Sequence, residues 1–251
     1  MALTVEGRLA EAARSADSVL LEGLHAIKHA IRFGAEIDLI ASRDPARALE
    51  LAASLCPDVI EIMRPLLQAV RSREELEIGG RPIATDLCGA ATKPDFDVTA
   101  LQQPTGGPII LLDHPRSLAN VGAAIRIAAA TAAAGVLTTG DQDPWHPVAL
   151  RGSAGLHFAQ PVGRVEIDDL TAERPIIGFD AGGQHFNPSE LPPTAVLAFG
   201  SERHGISDAL RERCSMIVAL PMREGVSSLN LATSVAAVLM SWRVGTGWTG
   251  R

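Results

Sequence analysis

Six short, mostly apolar runs, at 109–112, 136–138, 161–165, 176–180, 195–199 and 216–220, punctuate the second part of the chain. Between them lie stretches suited to helices, the plainest being the alanine-rich 121–133 and the apolar 231–240. Apolar runs without strict alternation suit strands buried on both faces. Strand followed by helix, repeated, implies a parallel sheet with helices on both sides. Such sheets hold ligands in the loops at the carboxyl ends of their strands. The loops after these runs are therefore where function is to be sought.

The first part reads as a smaller α/β unit. Residues 6–20 suit a helix of mixed charge, and 22–31 an amphipathic helix with Leu24, Ile27 and Ile31 on one face. A strand is predicted at 37–40, then a helix opened by Asp44 and Pro45 and running to Leu55. A second strand is expected at 59–62, a short helix at 65–70, a solvated turn at 74–77 and a third strand at 82–87. The stretch 102–108, Gln-Gln-Pro-Thr-Gly-Gly-Pro, has the composition of a linker and places the domain boundary between 104 and 105.

Composition narrows the partners. Residues 1–104 hold 11 basic and 16 acidic residues, and 105–251 hold 11 and 13, so neither part is broadly basic. Arginine supplies 20 of the 22 basic residues, and its fork suits phosphate. The three cysteines, Cys56, Cys88 and Cys214, are far apart and read as buried thiols. Charges interrupt the N-terminus where a secretory signal needs an apolar core, and no run reaches the length of a membrane span. A soluble cytoplasmic protein is expected.

Three loops hold unusual polar residues. In 113–126 Asn120 can start a helix, and Arg126 follows in an apolar setting where an arginine calls for an anionic partner. In 199–207 two glycines, Gly200 and Gly205, bracket Glu202, Arg203 and His204 directly after a strand. In 220–230 Pro221 ends a strand, Gly225 frees the backbone, and Ser228 and Asn230 stand where a helix begins. Backbone N–H groups at such a turn can grip a ligand.

Asn-x-Gly-x-x-x-Arg at 120–126, Phe-Gly-Ser-Glu-x-x-Gly at 199–205 and Pro-Met…Ser-Leu-Asn at 221–230 together resemble the three motifs of the SpoU (TrmH-like) group of SPOUT RNA methyltransferases. The resemblance covers about 108–243, and 151–155 resembles a helix of that family. The part beginning Leu21-Glu22-Gly23-Leu24-His25-Ala26 is similar to the L30e-like substrate-binding domain that precedes many members. The resemblance implies an L30e-like domain over 1–104 and, over 105–251, a parallel-sheet SPOUT domain with a deep trefoil knot, an exception to the rule against knots.

It implies further that S-adenosylmethionine binds in the knot against Gly200, Leu220, Met222, Ser228 and Leu229, with Thr139 and Gly140 adding to the wall. Asn120, Arg126, Glu202, Ser228 and Asn230 would form the catalytic cluster for methylation of a ribose 2′-hydroxyl in tRNA or rRNA, within a homodimer. A guanidinium, with a pKa above about 12, is a poor base, so Arg126 suits phosphate fixing and alkoxide stabilisation. Glu202 would orient a neighbour. Phosphate contacts fall to Lys28, Arg32, Arg116 and Arg151, because aromatic residues for base stacking are scarce. No metal-ligand cluster stands out.

Other classes fit less well. A dinucleotide oxidoreductase wants Gly-x-Gly-x-x-Gly after its first strand, and 113–126 offers only Gly122. A serine hydrolase wants Gly-x-Ser-x-Gly, which Gly200-Ser201-Glu202 does not supply. A non-catalytic RNA-binding relative should have lost Arg126, Glu202 or Asn230. Base methylation by a related SPOUT enzyme is the remaining alternative.

Overall fold

The computed structural model describes residues 3–70, 77–78, 81–82 and 85–246 of the chain. Two compact units emerge, one of Met1–Asp95 with Ser153–Ala159, the other of Phe96–Gly152 with Gln160–Arg251. The expected solvated turn at 74–77 falls outside the described residues except for Glu77, as do positions 83–84 of the expected third strand.

The first unit contains α1 (Val5–Ala12), β1 (Ser18–Glu22), α2 (Gly23–Arg32), β2 (Ile37–Ser42), α3 (Pro45–Leu55), α4 (Ile60–Leu66), β3 (Leu67–Ala69), β4 (Glu77–Ile78), β5 (Arg81–Pro82) and β6 (Leu87–Thr92). Its four-stranded sheet has the order β1-β6-β2-β3, antiparallel at both β6 pairings and parallel between β2 and β3. Strands β4 and β5 form a separate antiparallel pair.

Several expectations need correction here. The helix read over 6–20 ends at Ala12, and Val19, Leu20 and Leu21 form β1, all three buried. Three consecutive apolar residues bury better in a strand packed on both sides than on one helical stripe. The strand read at 59–62 is instead a 3-10 turn, Pro57–Val59, running into α4. Pro57 at the first position presets a helical φ, and the buried apolar pair Val59 and Met63 is spaced by four, leaving Ile62 exposed. The helix read at 65–70 is the end of α4 followed by β3, which pairs with β2.

The second unit contains α5 (Val98–Gln102), β7 (Ile109–Leu112), α6 (Leu118–Ala130), β8 (Gly135–Thr138), α7 (Pro147–Ser153), β9 (Val162–Arg164), β10 (Ile176–His185), β11 (Val196–Phe199), α8 (Asp208–Arg213), β12 (Met216–Ala219) and α9 (Leu231–Gly245). All six strands lie parallel in the order β12-β10-β11-β7-β8-β9, as the apolar runs predict. Ile109, Leu111, Leu137, Val196, Ala198 and Leu210 pack one core layer. Each fully buried aliphatic side chain contributes about 1.5–3 kcal/mol. The linker-like 102–108 lies inside this unit. Carbonyls of Gln102, Gln103, Thr105 and Gly107 converge on the buried Arg174 guanidinium, at 2.5–3.3 Å. Four of the five N–H donors of one arginine thus hold a turn-rich segment in place, and the fifth reaches Thr194 O (2.9 Å).

Candidate functional site

The carboxyl ends of β11 and β12, with the middle of β10, open into a cleft of about 540 Å³. Gly200, Glu202, Leu220, Met222, Ser228, Leu229 and Asn230, all singled out in the sequence, line it together with Phe179, Asp180, Arg203 and His204. Thr139 and Gly140 are not brought there. They line a separate cavity of about 410 Å³, with His114, Asp141, Arg164 and Glu166.

Each of the three loops has a local physical reason for its shape. After β11 the chain doubles back in a hairpin, Ser201 N–H donating to Gly205 O (2.9 Å) and Gly205 N–H to Ser201 O (3.0 Å). A Cβ on Gly200 would lie 1.9 Å from the Gly205 carbonyl carbon, so only glycine admits this closure. In the first motif Gly122 serves packing: a Cβ there would lie 2.3 Å from Ala149 O, where α6 meets α7. Asn120 does not start α6. Ser117 does, its Oγ accepting from the Asn120 N–H (3.3 Å), and the Asn120 side chain is thereby left for other work. Asn230 is the N-cap of α9, its Oδ1 accepting from Ala232 and Thr233 N–H at 3.0 and 3.3 Å.

A chain of hydrogen bonds joins the three motifs. Asn230 Nδ2 donates to Asn120 Oδ1 (3.1 Å), and Asn120 Nδ2 donates to Glu202 Oε1 (2.7 Å). The Arg116 N–H donates to Glu202 Oε2 (3.1 Å). Burial alone would raise the Glu202 pKa. The Asn120 amide and backbone N–H groups at Glu202, Arg116 and Ser117 outweigh it and hold the carboxyl below its usual range. Glu202 is thus an ionised acceptor that fixes its neighbours, the orienting role the sequence suggests.

Arg126 departs from its expected setting. It lies exposed on α6, away from the cleft lining, and forms no ion pair or hydrogen bond among the described residues. Its apolar neighbours in sequence point inward, Ile125 being fully buried, while Arg126 points out. Of the arginines proposed for phosphate contact, Arg116 and Arg151 are exposed. In the first unit Arg32 is held by Asp58 through two bonds of 2.6 and 2.7 Å, and Lys28 is half-buried.

Sequence reading missed Asp113. This residue ends β7 at 1% exposure, its Oδ2 accepting from Ser207 N–H (2.7 Å) and its Oδ1 from Thr139 Oγ1 (2.7 Å), with His114 Nδ1 at 2.8 Å. Burial pushes its pKa up, but these donors overcome that and leave it lowered. One carboxylate so ties the end of β7 to β8 and to the cap of α8. The available signal was a carboxylate placed directly after a wholly apolar strand.

The second unit holds most of the stretch that matches a known family. Residues 107–240 match the model of the SpoU rRNA Methylase family. The chain is 35% identical over 144 residues to a 23S rRNA (uridine(2479)-2'-O)-methyltransferase of Streptomyces viridochromogenes, covering 52% of this chain and 50% of that one. It is 35% identical over 161 residues to an uncharacterized tRNA/rRNA methyltransferase of Mycolicibacterium smegmatis, covering 60% and 51%. The chain spans about half the length of these curated relatives. Among solved structures, the SpoU methyltransferase AviRb of Streptomyces viridochromogenes, in complex with AdoMet, superposes with a TM-score of 0.75 at 21% identity, over 99% of this chain and 100% of that one. At that identity the likeness establishes the fold.

Proposed function

The chain belongs to the SpoU rRNA methylase family, and from that premise we propose that it transfers a methyl group from S-adenosylmethionine to a ribose 2′-hydroxyl of tRNA or rRNA. The observation that carries this reading is the hydrogen-bonded chain Asn230–Asn120–Glu202, which gathers three separate motifs at one cleft. The name of the Streptomyces relative, a ribose methyltransferase, supports ribose over base.

The cleft suits S-adenosylmethionine. Its volume lies within the range of about 300–1,000 Å³ common for ligand sites. Phe179, Phe199, Leu220 and Leu229 offer apolar wall for an adenine, and Asp180 and Glu202 offer negative charge to a cationic ligand. In this reading Gly200, Leu220, Met222, Ser228 and Leu229 hold the cofactor; Thr139 and Gly140, on the other cavity, are left out. The bound cofactor supplies a methyl carbon made electrophilic by its sulfonium. Ser228 and Asn230 close the loop over it, and Asn120, oriented by Glu202, positions the ribose. The exposed Arg126, outside the cleft lining, is the candidate for fixing a substrate phosphate.

The same reading makes Met1–Asp95 an L30e-like RNA-binding unit, threads the C-terminal chain through a trefoil knot, and places the enzyme in the cytoplasm as a homodimer. Arg116, Arg151, Lys28 and Arg32 are its candidate phosphate contacts. No helix among the described residues is long and apolar enough to cross a membrane.

Calorimetric titration with S-adenosylmethionine tests the site. Wild type should bind saturably, and Leu229→Arg, which puts a charged chain into the cleft wall, should abolish binding. RNA from cells with and without the gene should then differ by one 2′-O-methyl nucleotide. Absence of binding at millimolar cofactor would reject the proposal.

A further inference from the structure

Methylating a hydroxyl leaves a proton to be removed, and we propose that the imidazole of His204 is the base that takes it. This rests on the methyl-transfer reading above. The argument is an inventory of the ionisable residues that line the cleft: Asp180, Glu202, Arg203 and His204. A guanidinium does not accept protons. Both oxygens of Glu202 are engaged, by Asn120 Nδ2 and by the Arg116 N–H, and its affinity for a proton is lowered. Both oxygens of Asp180 are engaged as well, Oδ2 by Arg211 Nη2 (2.8 Å) and Oδ1 by the Gly182 N–H (3.0 Å).

His204 differs from both. Its backbone N–H donates to Ser201 Oγ (3.2 Å), which fixes its place in the hairpin, and its ring nitrogens have no hydrogen-bond partner among the described residues. An imidazole is also the side chain matched to proton transfer near neutral pH. The charges around it come from three elements. Glu202 and Arg203 flank it in the hairpin. Asp180, midway along β10, sits 2.9 Å from where a Cβ on Gly205 would be, and brings Arg211 of α8 with it. Arg116 reaches Glu202 through its backbone, and the residues that the third loop contributes to the cleft, Leu220, Met222, Ser227, Ser228, Leu229 and Asn230, are all uncharged.

In the balanced step the ribose 2′-oxygen bonds to the methyl carbon and displaces sulfur, which keeps the pair of the carbon–sulfur bond. The hydroxyl proton passes to a ring nitrogen of His204 and from there to water. The test uses labelled S-adenosylmethionine and total RNA from cells in which the gene is deleted, so that the natural site is present and unmethylated. Wild-type kcat should rise with unit slope as pH is raised toward neutrality. His204→Gln and His204→Asn should both lower kcat about 100-fold or more with KM within about twofold, lose that slope, and regain rate with added imidazole. Proton NMR should show one imidazole resonance, absent from both variants, that moves when S-adenosylhomocysteine is added to wild type. Equal kcat, an unchanged pH profile in the variants, or a resonance indifferent to S-adenosylhomocysteine overturns the assignment. A wild type that transfers no methyl overturns instead the reading on which it rests.

Discussion

The two compact units are built from similar alternations of helix and strand, but polar side chains work differently in them. In the first unit the ion pairs of Arg32 with Asp58 and of Arg43 with Asp86 lie at the surface, and Phe33, Leu51, Leu55 and Ile62 stand about half exposed. In the second, polar groups are drawn inward to strand ends: Asp113, Thr138 and Thr139 are buried, and Asn120, Glu202 and Asn230 join three loops. A sheet whose strands all point one way gathers its loops on one edge, and polar residues there can meet. Among the described residues, the first unit's mixed sheet gathers no such set.

The contrast can be attacked at three strengths. The largest effect should come from Gly122→Val, which drives a branched side chain into the backbone of α7. A loss of about 3 kcal/mol is expected in urea denaturation, followed by tryptophan fluorescence, since Trp145 and Trp242 both lie in the second unit. Asp113→Ala should come next. It strands the Ser207 N–H and the Thr139 hydroxyl and should cost about 2 kcal/mol in the same assay.

Asp113 also yields a pH signature. Its folded pKa is lowered, so its stabilisation is fully present above the ordinary carboxylate pKa near 4 and is lost as pH falls through the lower folded value. Melting curves from pH 6 down to pH 2 should therefore show a smaller acid-induced drop for Asp113→Asn than for wild type. The smallest effect belongs to the first unit. Arg32→Ala removes a surface pair with Asp58 and should leave the melting temperature unchanged within measurement. A large shift there would erase the contrast between the units.

How much was legible in the sequence follows the same line. The strands of the parallel sheet were visible because each is a short apolar run with turn residues at its ends, and their loops carry motifs in linear order. In the first unit 59–62 and 18–22 misled, because three apolar residues within a stretch of four or five fit a strand and a buried helical turn equally well. Pairing with β6, which is remote in sequence, decided the second case. Within the site, Asn230 was read correctly as a helix start, because a cap depends on the next three residues alone. The partners of Asp113 lie far along the chain, at Thr139 and Ser207, so its place after an apolar strand marks it without saying what it holds.

One small feature has consequences for how this sequence can drift. The residue at the start of α9 has two duties: its oxygen caps the helix and its amide nitrogen reaches Asn120. Serine, threonine and aspartate would serve the helix, since each offers an oxygen. Asparagine alone among the favoured caps still has an N–H₂ to give once that oxygen is in use. Position 230 therefore has an alphabet of four letters as a helix start and of one letter as a member of the cleft. A lineage that no longer needed the cleft could change it in three ways without loosening the helix, so this position would record the loss of chemistry well before the fold did.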